Sequence, residues 1–323
     1  MVEEPFDPEP RRGGPVPVVL SPRPSVLMRI VSAYLRLTPT KAALADINST
    51  DRGRVRNQRR GAAKVPVWHR VGFRFRPHPA GGSLTVVEVS PKKSAPTATI
   101  IYLPGGAYIN PMISFHWDLA CALARENDAR VLVVKYPLAP TGTAATVIPE
   151  LVRLYGEVVD EDGSVPVVAG DSAGGGLAAA LAVTLRDMSL LLPHHLALFA
   201  PWMDVTLTNQ DIEAVVDSDP TLALPGLRWA GALWAADQEP TTPQVSPGYA
   251  DLSGLCPVTL VVGTHDLLLP DCRAFVDKAI RQDVDAVLGT IVGGFHVCVA
   301  ATFLPESKKA RRWVRSRMAL HHN

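Results

Sequence analysis

Short apolar runs rich in β-branched residues alternate with helical stretches from about residue 65 to the end of the chain. Eight of these runs have the length and composition of β-strands. They are RVGFRFRP (70–77), LTVVEVS (84–90), ATIIYLPG (98–105), RVLVVKYP (130–137), VPVVAG (165–170), LALFAPW (196–202), VTLVVGT (258–264) and AVLGTIVGG (286–294). The first two flank a Gly-Gly turn, as in an antiparallel hairpin, whereas the later ones are continuously apolar. This pattern predicts an eight-stranded, mostly parallel sheet with helices on both faces.

An amphipathic helix is predicted before the strands begin. In SVLMRIVSAYLRL (25–37) five apolar residues recur at helical spacing and define one face. They are Leu27, Ile30, Val31, Tyr34 and Leu35. A helix lying on a membrane surface normally carries more lysine and arginine on its polar face. We therefore expect this apolar face to pack against the protein itself.

Two further segments depart from the alternation. The basic segment DRGRVRNQRRG (51–61) has no interleaved aromatic residues and no nucleic-acid-binding motif, so we interpret it as a solvated surface or a linker. In residues 205–248 the alternation of strands and helices stops, and the sequence predicts turns with one or two helices. An insertion at the carboxyl edge of a parallel sheet lies where ligands usually bind, which makes this segment a candidate lid.

Composition and charge exclude several classes of protein. Hydrophobic residues make up 47% of the 323 residues and charged residues 20%, which favours one large folded domain over a disordered chain. With 32 basic and 31 acidic residues, no net field would gather nucleic acid or anionic lipid. The four cysteines are scattered without a CxxC pair, so buried reduced thiols are expected rather than a disulfide framework or a zinc site.

The chain also lacks the signals of a membrane or secreted protein. No run reaches the roughly 18 apolar residues that would span a bilayer, and the segment MVEEPFDPEP is acidic and proline-rich, unlike a secretory signal. We therefore expect no stable membrane insertion and a cytoplasmic location.

The strongest chemical signal is a GxSxG motif with Ser172 at its centre, GDSAG (170–174). The motif follows the strand VPVVA directly and precedes an alanine-rich helix, and glycines on both sides permit a strained strand-to-helix turn that exposes the serine hydroxyl. The helix N-terminus directs amide groups and positive dipole towards any charge that develops beside this hydroxyl. Ser172 is therefore a candidate nucleophile.

A serine hydroxyl needs a base, which must lie downstream if the chain order is serine, acid, histidine. His296, after the last predicted strand, fits a loop at the carboxyl edge of the sheet, whereas His194 and His195 precede a strand and His265 adjoins a better acid candidate. The remaining downstream histidines, His321 and His322, lie at the chain terminus.

Asp266 follows the strand VTLVVGT, where a carboxylate can hold the imidazole in the correct tautomer. Asp271 is its main rival, and we expect that residue to cap or begin the helix DCRAFVDKAI (271–280).

In its ordered set of motifs the chain resembles the hormone-sensitive-lipase-like family of α/β-hydrolase carboxylesterases, from about residue 96 to the end. That family carries HGGG after the strand that corresponds to ATIIYLP and GDSAGG at the nucleophile. The similar segments here are YLPGGAY (102–108), YPLAP (136–140), GDSAGG (170–175), APWMDVTLTN (200–209) and GTHDLLLPD (263–271). Two positions depart from the family pattern, because Pro104 replaces the histidine and Ala107 replaces the third glycine. Proline restricts the loop, and alanine still offers an N–H if its φ is allowed.

The resemblance implies an α/β-hydrolase fold in a single domain over 1–323. A helical cap would consist of about 1–60 and the insertion at about 205–248, and the catalytic core of about 65–204 and 249–323. It implies an oxyanion hole from the N–H groups of Gly106, Ala107 and Ala173, with Gly105 shaping the turn. Candidate residues of the substrate pocket are Tyr108, Asp171, Leu222 and Trp229.

The function implied is hydrolysis of short to medium acyl esters through an acyl-enzyme, without a metal or cofactor. The partner is then a small-molecule ester rather than nucleic acid, and a homodimer is a further expectation because members of that family often dimerise. Two alternatives stay open at this stage. A deacetylase, lactonase or amidase of a bulky molecule would use the same residues, and a ligand-binding homologue of this fold would be non-catalytic.

Overall fold

A nine-stranded sheet forms the centre of the protein in the computed structural model, which describes residues 17–96 and 98–318. The strands are β1 (Val18–Ser21), β2 (Phe73–His78), β3 (Thr85–Pro91), β4 (Ala98–Leu103), β5 (Ala129–Lys135), β6 (Val167–Asp171), β7 (His195–Phe199), β8 (Val258–His265) and β9 (Ala286–Phe295). Their order across the sheet is β1-β9-β8-β7-β6-β4-β5-β3-β2. Only β2 with β3 and β3 with β5 pair in antiparallel fashion. The α/β-hydrolase fold class, the hairpin and all eight predicted strands are therefore confirmed.

The count of eight strands was one too few. Strand β1 pairs in parallel with β9 at the edge of the sheet, with Val18 opposite Gly289. Its four residues lie between prolines in a segment rich in proline and glycine, so the strand is too short to give an alternating pattern.

Helices cover both faces of the sheet. They are α1 (Val26–Leu37), α2 (Thr40–Ala45), α3 (Ile47–Arg60), α4 (His69–Gly72), α5 (Ser114–Asn127), α6 (Ala144–Asp162), α7 (Ser172–Asp187), α8 (Leu224–Ala235), α9 (Leu269–Arg281) and α10 (Pro305–Met318). The buried side chains of α6, α7 and α9 join one hydrophobic core, and those of α5 and α10 join a second. The strands from β4 to β9 are largely buried on both sides, as their continuously apolar sequences predicted, whereas the edge strands β1 and β2 are partly exposed. All four cysteines are buried and free, as predicted.

Helix α1 forms as predicted, but the expectation that its apolar face is buried was partly wrong. Met28 is fully buried, and Val31 and Leu35 pack partly against the second core. Leu27, Ile30 and Tyr34, by contrast, are 40%, 59% and 66% exposed. The buried stripe therefore consists of Met28, Val31 and Leu35 and is shifted from the predicted face. Among the residues described, no helix combines the length and the apolar character that crossing a membrane requires.

The basic segment 51–61 is not a linker but most of helix α3. Two caps account for the helix: the Asp46 carboxylate accepts a hydrogen bond from the Ser49 N–H at 2.7 Å, and Gly61 ends the helix at φ 74°. Few apolar residues occur along α3, so periodicity gave no helical signal. Only the caps could have revealed it.

The insertion contains short 3₁₀ helices at Gln210–Ala214 and Pro247–Tyr249 and helix α8, in agreement with the predicted turns and helices. The N-terminal helices touch this segment. Lys41 Nζ of α2 donates hydrogen bonds to the carbonyl oxygens of Val216 and Asp219 at 2.6 and 2.7 Å. A Cβ at Gly226 of α8 would lie 2.5 Å from the Leu44 carbonyl oxygen, so α2 and α8 approach closely.

Helix α7 packs so closely on the sheet that no methyl group fits at Gly174, whereas Gly156 of α6 faces open space. A Cβ at Gly174 would lie 2.0 Å from the carbonyl oxygen of Leu103, whereas a Cβ at Gly156 of α6 would meet no atom within 4 Å. We predict that Gly174→Ala lowers the free energy of unfolding by about 3 kcal/mol or more. The control Gly156→Ala is expected to raise it by about 0.5–1 kcal/mol. Urea unfolding of both variants measures the difference, and equal stabilities would contradict this packing.

Candidate active site

Ser172 lies at the sharp turn where β6 becomes α7, and its backbone is left-handed at φ 52°. The turn is possible because the flanking residues are glycines: a Cβ at Gly170 would lie 2.2 Å from the carbonyl oxygen of Gly174. A non-glycine residue in this conformation costs about 1–3 kcal/mol and is typical of active sites. The turn leaves the serine half-exposed at the carboxyl edge of the sheet.

The structure brings the three predicted residues Ser172, His296 and Asp266 into one line of hydrogen bonds. His296 Nε2 is 2.9 Å from Ser172 Oγ, and His296 Nδ1 is 3.0 Å from Asp266 Oδ2. Asp266 follows β8 and His296 follows β9, so the parallel strands deliver both side chains to the edge that carries the serine. Within this line the Nδ1–H donates to the carboxylate, which leaves Nε2 to accept the serine proton.

Burial and the neighbouring charge shift the pKa of Asp266 in opposite directions, and the same is true of His296. Burial raises the pKa of Asp266 above its usual range, although hydrogen bonds from His296 and the Leu268 N–H oppose the rise. Burial would lower the pKa of His296, but the charge and hydrogen bond of Asp266 outweigh it and raise that pKa. Asp219 and Asp171 add to the rise. The imidazole is thus a stronger base than an isolated histidine.

The rival residues lie elsewhere. His195 Nε2 is 2.8 Å from Thr259 Oγ1 at the amino end of β7, the opposite edge of the sheet, and neighbouring His194 contacts the Met318 carbonyl oxygen at 3.0 Å. His265 ends β8 beside the acid, and its ring is only partly buried. The histidines at 321 and 322 lie outside the described residues.

Asp271 neither caps nor begins α9, because the helix starts at Leu269; it lies in the first turn and accepts a hydrogen bond from Asn209 Nδ2 at 2.9 Å. The contact with the imidazole of His296 is therefore made by Asp266.

The predicted oxyanion loop follows β4 directly. Gly105 N–H donates to Asp171 Oδ1 at 3.2 Å, so it shapes the loop and is not free for a ligand. The N–H groups of Gly106 and Ala107 have no acceptor among the residues the structure describes. Gly106 requires glycine, because its φ is 140° and a Cβ would lie 2.2 Å from the Asn110 carbonyl oxygen. Ala107 adopts φ 52°, which is a left-handed conformation that alanine can occupy at some strain.

Ala173, the third predicted donor, lies in the first turn of α7, where N–H groups have no acceptor within the helix. The loop that carries Gly106 and Ala107 also borders the serine, since a Cβ at Gly105 would lie 2.9 Å from Ser172 Cβ. An oxyanion hole formed by these three N–H groups stays a prediction.

The four candidate pocket residues differ in their surroundings. Tyr108 is 1% exposed and its ring stacks between Trp202 and Trp234, with centroid separations of 5.6 and 4.1 Å. Leu222 is buried and Trp229 is half-buried in the insertion. Tyr108 therefore supports the core more than it lines an open pocket.

The fourth candidate, Asp171, is 2% exposed, and its carboxylate accepts hydrogen bonds from Tyr102 OH and the Gly105 N–H. Burial would raise the pKa of this carboxyl, but His116, Tyr102 and Gly105 outweigh it, and the pKa lies below the usual range. Asp171 is thus an ionised, enclosed carboxylate behind the oxyanion loop. Sequence reasoning missed His116, because no local pattern links it to a residue 55 positions away.

Helix α3 also contributes residues that the sequence did not predict. Gln58 Nε2 donates to the carbonyl oxygens of Ile109 and Ala139 at 2.9 Å each, and Asn57 Nδ2 donates to Asn110 Oδ1 at 2.8 Å. These bonds tie the N-terminal helices to the far end of the oxyanion loop. A cavity of about 320 Å³ lies between α3, this loop and residues 135–141.

Asp219 links the insertion to the acid. Its Oδ1 accepts from the N–H groups of Thr221 and Leu222 at 2.7 and 2.9 Å, and its Oδ2 accepts from the Leu267 N–H at 2.9 Å. Leu267 directly follows Asp266 in the chain. The residue that orients the imidazole is therefore held by the same segment that was predicted to be a lid.

Comparison with known proteins places these features in a family. A family model described as the alpha/beta hydrolase fold matches residues 100–300, which contain all three residues of the hydrogen-bonded line. The chain belongs to this family. The hydrolase is 31% identical over 228 residues to an esterase of Acinetobacter venetianus, a match that covers 69% of this chain and 75% of the relative.

Two further comparisons narrow the class. The hydrolase is 30% identical over 216 residues to an acetyl-hydrolase of Streptomyces hygroscopicus, with 66% of this chain and 72% of the relative covered. It is also similar to the crystal structure of an esterase from the bacterial hormone-sensitive lipase family, with TM-score 0.77, 26% identity, and coverage of 92% of this chain and 99% of that one. The hydrolase is thus a serine ester hydrolase of the esterase and lipase type, and its predicted resemblance to hormone-sensitive-lipase-like esterases is confirmed.

The buried carboxyl of Asp271 generates a prediction about stability. Burial raises its pKa from 3.8 to about 6, and its Oδ2 has no hydrogen-bond partner among the described residues. Because the folded state holds this proton more tightly than the unfolded chain, ionisation lowers the stability of the hydrolase as pH rises from about 4 to about 6. We predict that above about pH 6 the free energy of unfolding of Asp271→Asn, which keeps an acceptor for Asn209, exceeds that of the wild type by about 1–2 kcal/mol, which raises its melting temperature.

The advantage is expected to disappear below about pH 4, where Asp271 is protonated in both states. Melting temperatures from pH 4 to pH 8 measure it, with the exposed Asp237→Asn as control. A variant that is less stable than the wild type at pH 8 would contradict the cost assigned to this carboxylate.

Proposed function

We propose that this hydrolase is a carboxylesterase that cleaves short to medium acyl esters, with Ser172 as nucleophile, His296 as general base and Asp266 as the acid that orients it. The observation that carries the proposal is the unbroken hydrogen-bonded line from the serine hydroxyl through the imidazole to the buried carboxylate. A hydroxyl alone is a weak nucleophile, and this line supplies the base that activates it.

Acylation begins when His296 Nε2 takes the proton of Ser172 Oγ and the oxygen attacks the ester carbonyl carbon. The carbonyl oxygen becomes an oxyanion in a tetrahedral intermediate. When the intermediate collapses, the bond to the alcohol oxygen breaks, and the imidazolium returns its proton to that oxygen. The alcohol leaves, and the acyl group remains bonded to the serine.

Deacylation repeats these steps with water as the nucleophile. His296 removes a proton from water, the resulting hydroxide attacks the acyl carbon, and Ser172 Oγ leaves and recovers the proton. The product is a carboxylic acid and the free enzyme. In both stages the Asp266 carboxylate stabilises the imidazolium that forms, which accords with the raised pKa of His296.

The oxyanion is stabilised by the N–H groups of Gly106, Ala107 and Ala173. The first two have no acceptor among the described residues, and the third begins a helix whose dipole favours negative charge. Each such donor typically contributes about 2.7–4 kcal/mol to transition-state stabilisation.

The cap would consist of about 1–60 with the insertion at about 205–248, and it would limit the size of the acyl group. The contacts of α2 with the insertion support this division. The name of the Streptomyces hygroscopicus relative, an acetyl-hydrolase, supports a small acyl group. Leu222 and Trp229 of the insertion are candidates for contact with the substrate. A cytoplasmic location and a homodimer stay predictions.

Hydrolysis of p-nitrophenyl esters with acyl chains of increasing length tests the proposal. We expect the wild type to have its highest kcat/KM on short and medium chains and Ser172→Ala to lose activity by at least about 10⁴-fold. The control Ser114→Ala removes an exposed serine and is expected to be unaffected. Retention of most activity by Ser172→Ala would refute the nucleophile, and a preference for long chains would refute the substrate class.

The two aspartates provide a paired test of the acid. Asp266→Asn is expected to lower kcat by about 10²–10⁴-fold, because an amide favours the wrong imidazole tautomer. Asp271→Asn is expected to keep wild-type activity, since that residue bonds to Asn209 instead. The opposite order of activities would assign the acid to Asp271.

A further inference from the structure

The oxyanion loop is held from behind by a carboxylate that also adjoins the nucleophile. Asp171 Oδ1 accepts the Gly105 N–H at 3.2 Å, and the next residue in the chain is Ser172. A Cβ at Gly105 would lie 2.6 Å from Asp171 Oδ2, so the loop and the carboxylate are in close contact. One residue thus sets the distance between the serine and the loop that carries the Gly106 and Ala107 donors.

The carboxylate itself is oriented by side chains from two other elements. Tyr102 OH, at the end of β4, donates to Oδ1, and His116 Nε2, in the first turn of α5, lies 3.4 Å from Oδ2. The side chains of Asp171 and His116 are 2% and 9% exposed. Water therefore has little access to the carboxylate, and its position depends on these protein donors.

The tautomer of His116 is fixed by its own helix. Its Nδ1 accepts the backbone N–H of Ile113 at 2.9 Å, so in the neutral ring the proton is on Nε2. That N–H is the group that faces Asp171. The direction of the contact is therefore set by the start of α5.

The loop has few other attachments at its beginning. Pro104 has no backbone N–H and no polar side chain, and its carbonyl oxygen accepts a hydrogen bond from Tyr136 OH at 2.8 Å. The Gly105 N–H is the first donor of the loop, and it is given to Asp171. Displacement of the Asp171 carboxylate would therefore change the direction of the N–H groups that follow Gly105 in the loop.

We propose that His116 is a positioning residue for ester hydrolysis: through Asp171 it holds the oxyanion loop at Gly105 so that the Gly106 and Ala107 N–H groups face the reacting oxygen. This inference rests on the proposed function. In this proposal His116 makes no contact with the substrate, so loss of its imidazole affects stabilisation of the oxyanion and not the binding of the ester.

The test compares His116→Leu, which removes the donor, with His116→Gln, whose amide nitrogen can replace Nε2. We expect His116→Leu to lower kcat about 10–100-fold with KM within about threefold, and His116→Gln to stay within about fivefold of the wild type in both. The inhibition constant of a trifluoromethyl ketone, which forms a hemiketal oxyanion on the serine, is expected to rise with His116→Leu by the same factor as kcat falls.

The matched control is His69→Gln. His69 forms a similar partly buried pair, with its Nε2 2.6 Å from Asp118 Oδ1 of helix α5 and its side chain 11% exposed, and Asp118 is the only hydrogen-bond partner of its ring among the described residues. It is expected to keep wild-type kcat and wild-type inhibition. Melting temperatures of all variants separate loss of fold from loss of position, and if His116→Leu does not fold, Asp171→Asn of nearly equal volume takes its place with the same expected loss.

Three results would overturn the inference: a folded His116→Leu with wild-type kcat and inhibition constant, a raised KM with unchanged kcat, or a His116→Gln as impaired as His116→Leu. Absence of ester hydrolysis by the wild type would instead refute the proposed function, so the two failures are distinguishable.

Discussion

The sharp turn between β6 and α7 fixes the position of the serine hydroxyl, and the other groups of the site are arranged around it. Two glycines, Gly170 and Gly174, approach each other and the end of β4 so closely that no side chain fits, and Ser172 is held left-handed between them at φ 52°. Strain of this kind persists only where the surroundings enforce it. Here the enforcement comes from the buried strands on either side and from the close packing of α7, so the position of the hydroxyl is a property of the whole sheet.

Around this fixed point, segments that are distant in the chain hold the other groups. Asp219 of the insertion binds the residue after Asp266, and Gln58 of α3 binds both Ile109 and Ala139. The insertion is thus attached to the segment that carries the acid, and the N-terminal helices are attached to the end of the oxyanion loop. The predicted cap would therefore be bonded to the groups beside the serine, so a movement of these segments would change the geometry of the site.

The features that the sequence predicted are those with a local pattern or with a fixed place after successive strands of the sheet. The eight strands are continuous apolar runs, and Ser172, Asp266 and His296 follow strands whose carboxyl ends meet at one edge in a parallel sheet. The parts it missed lack such a signal: β1 is four residues long, α3 has almost no apolar face, and His116 meets Asp171 only through the fold. The same limit explains why Asp171 was expected in the pocket, since nothing local shows that its carboxylate turns inward.

In the proposed mechanism one serine carries the acyl group covalently. A fluorophosphonate reacts with an activated serine, so treatment with this reagent, followed by proteolysis and mass spectrometry of the peptides, identifies the residue. We expect a single adduct on Ser172, formed slowly or not at all when His296 is replaced by Asn. An adduct on another residue, or equal labelling of the protein with and without the imidazole, would contradict it.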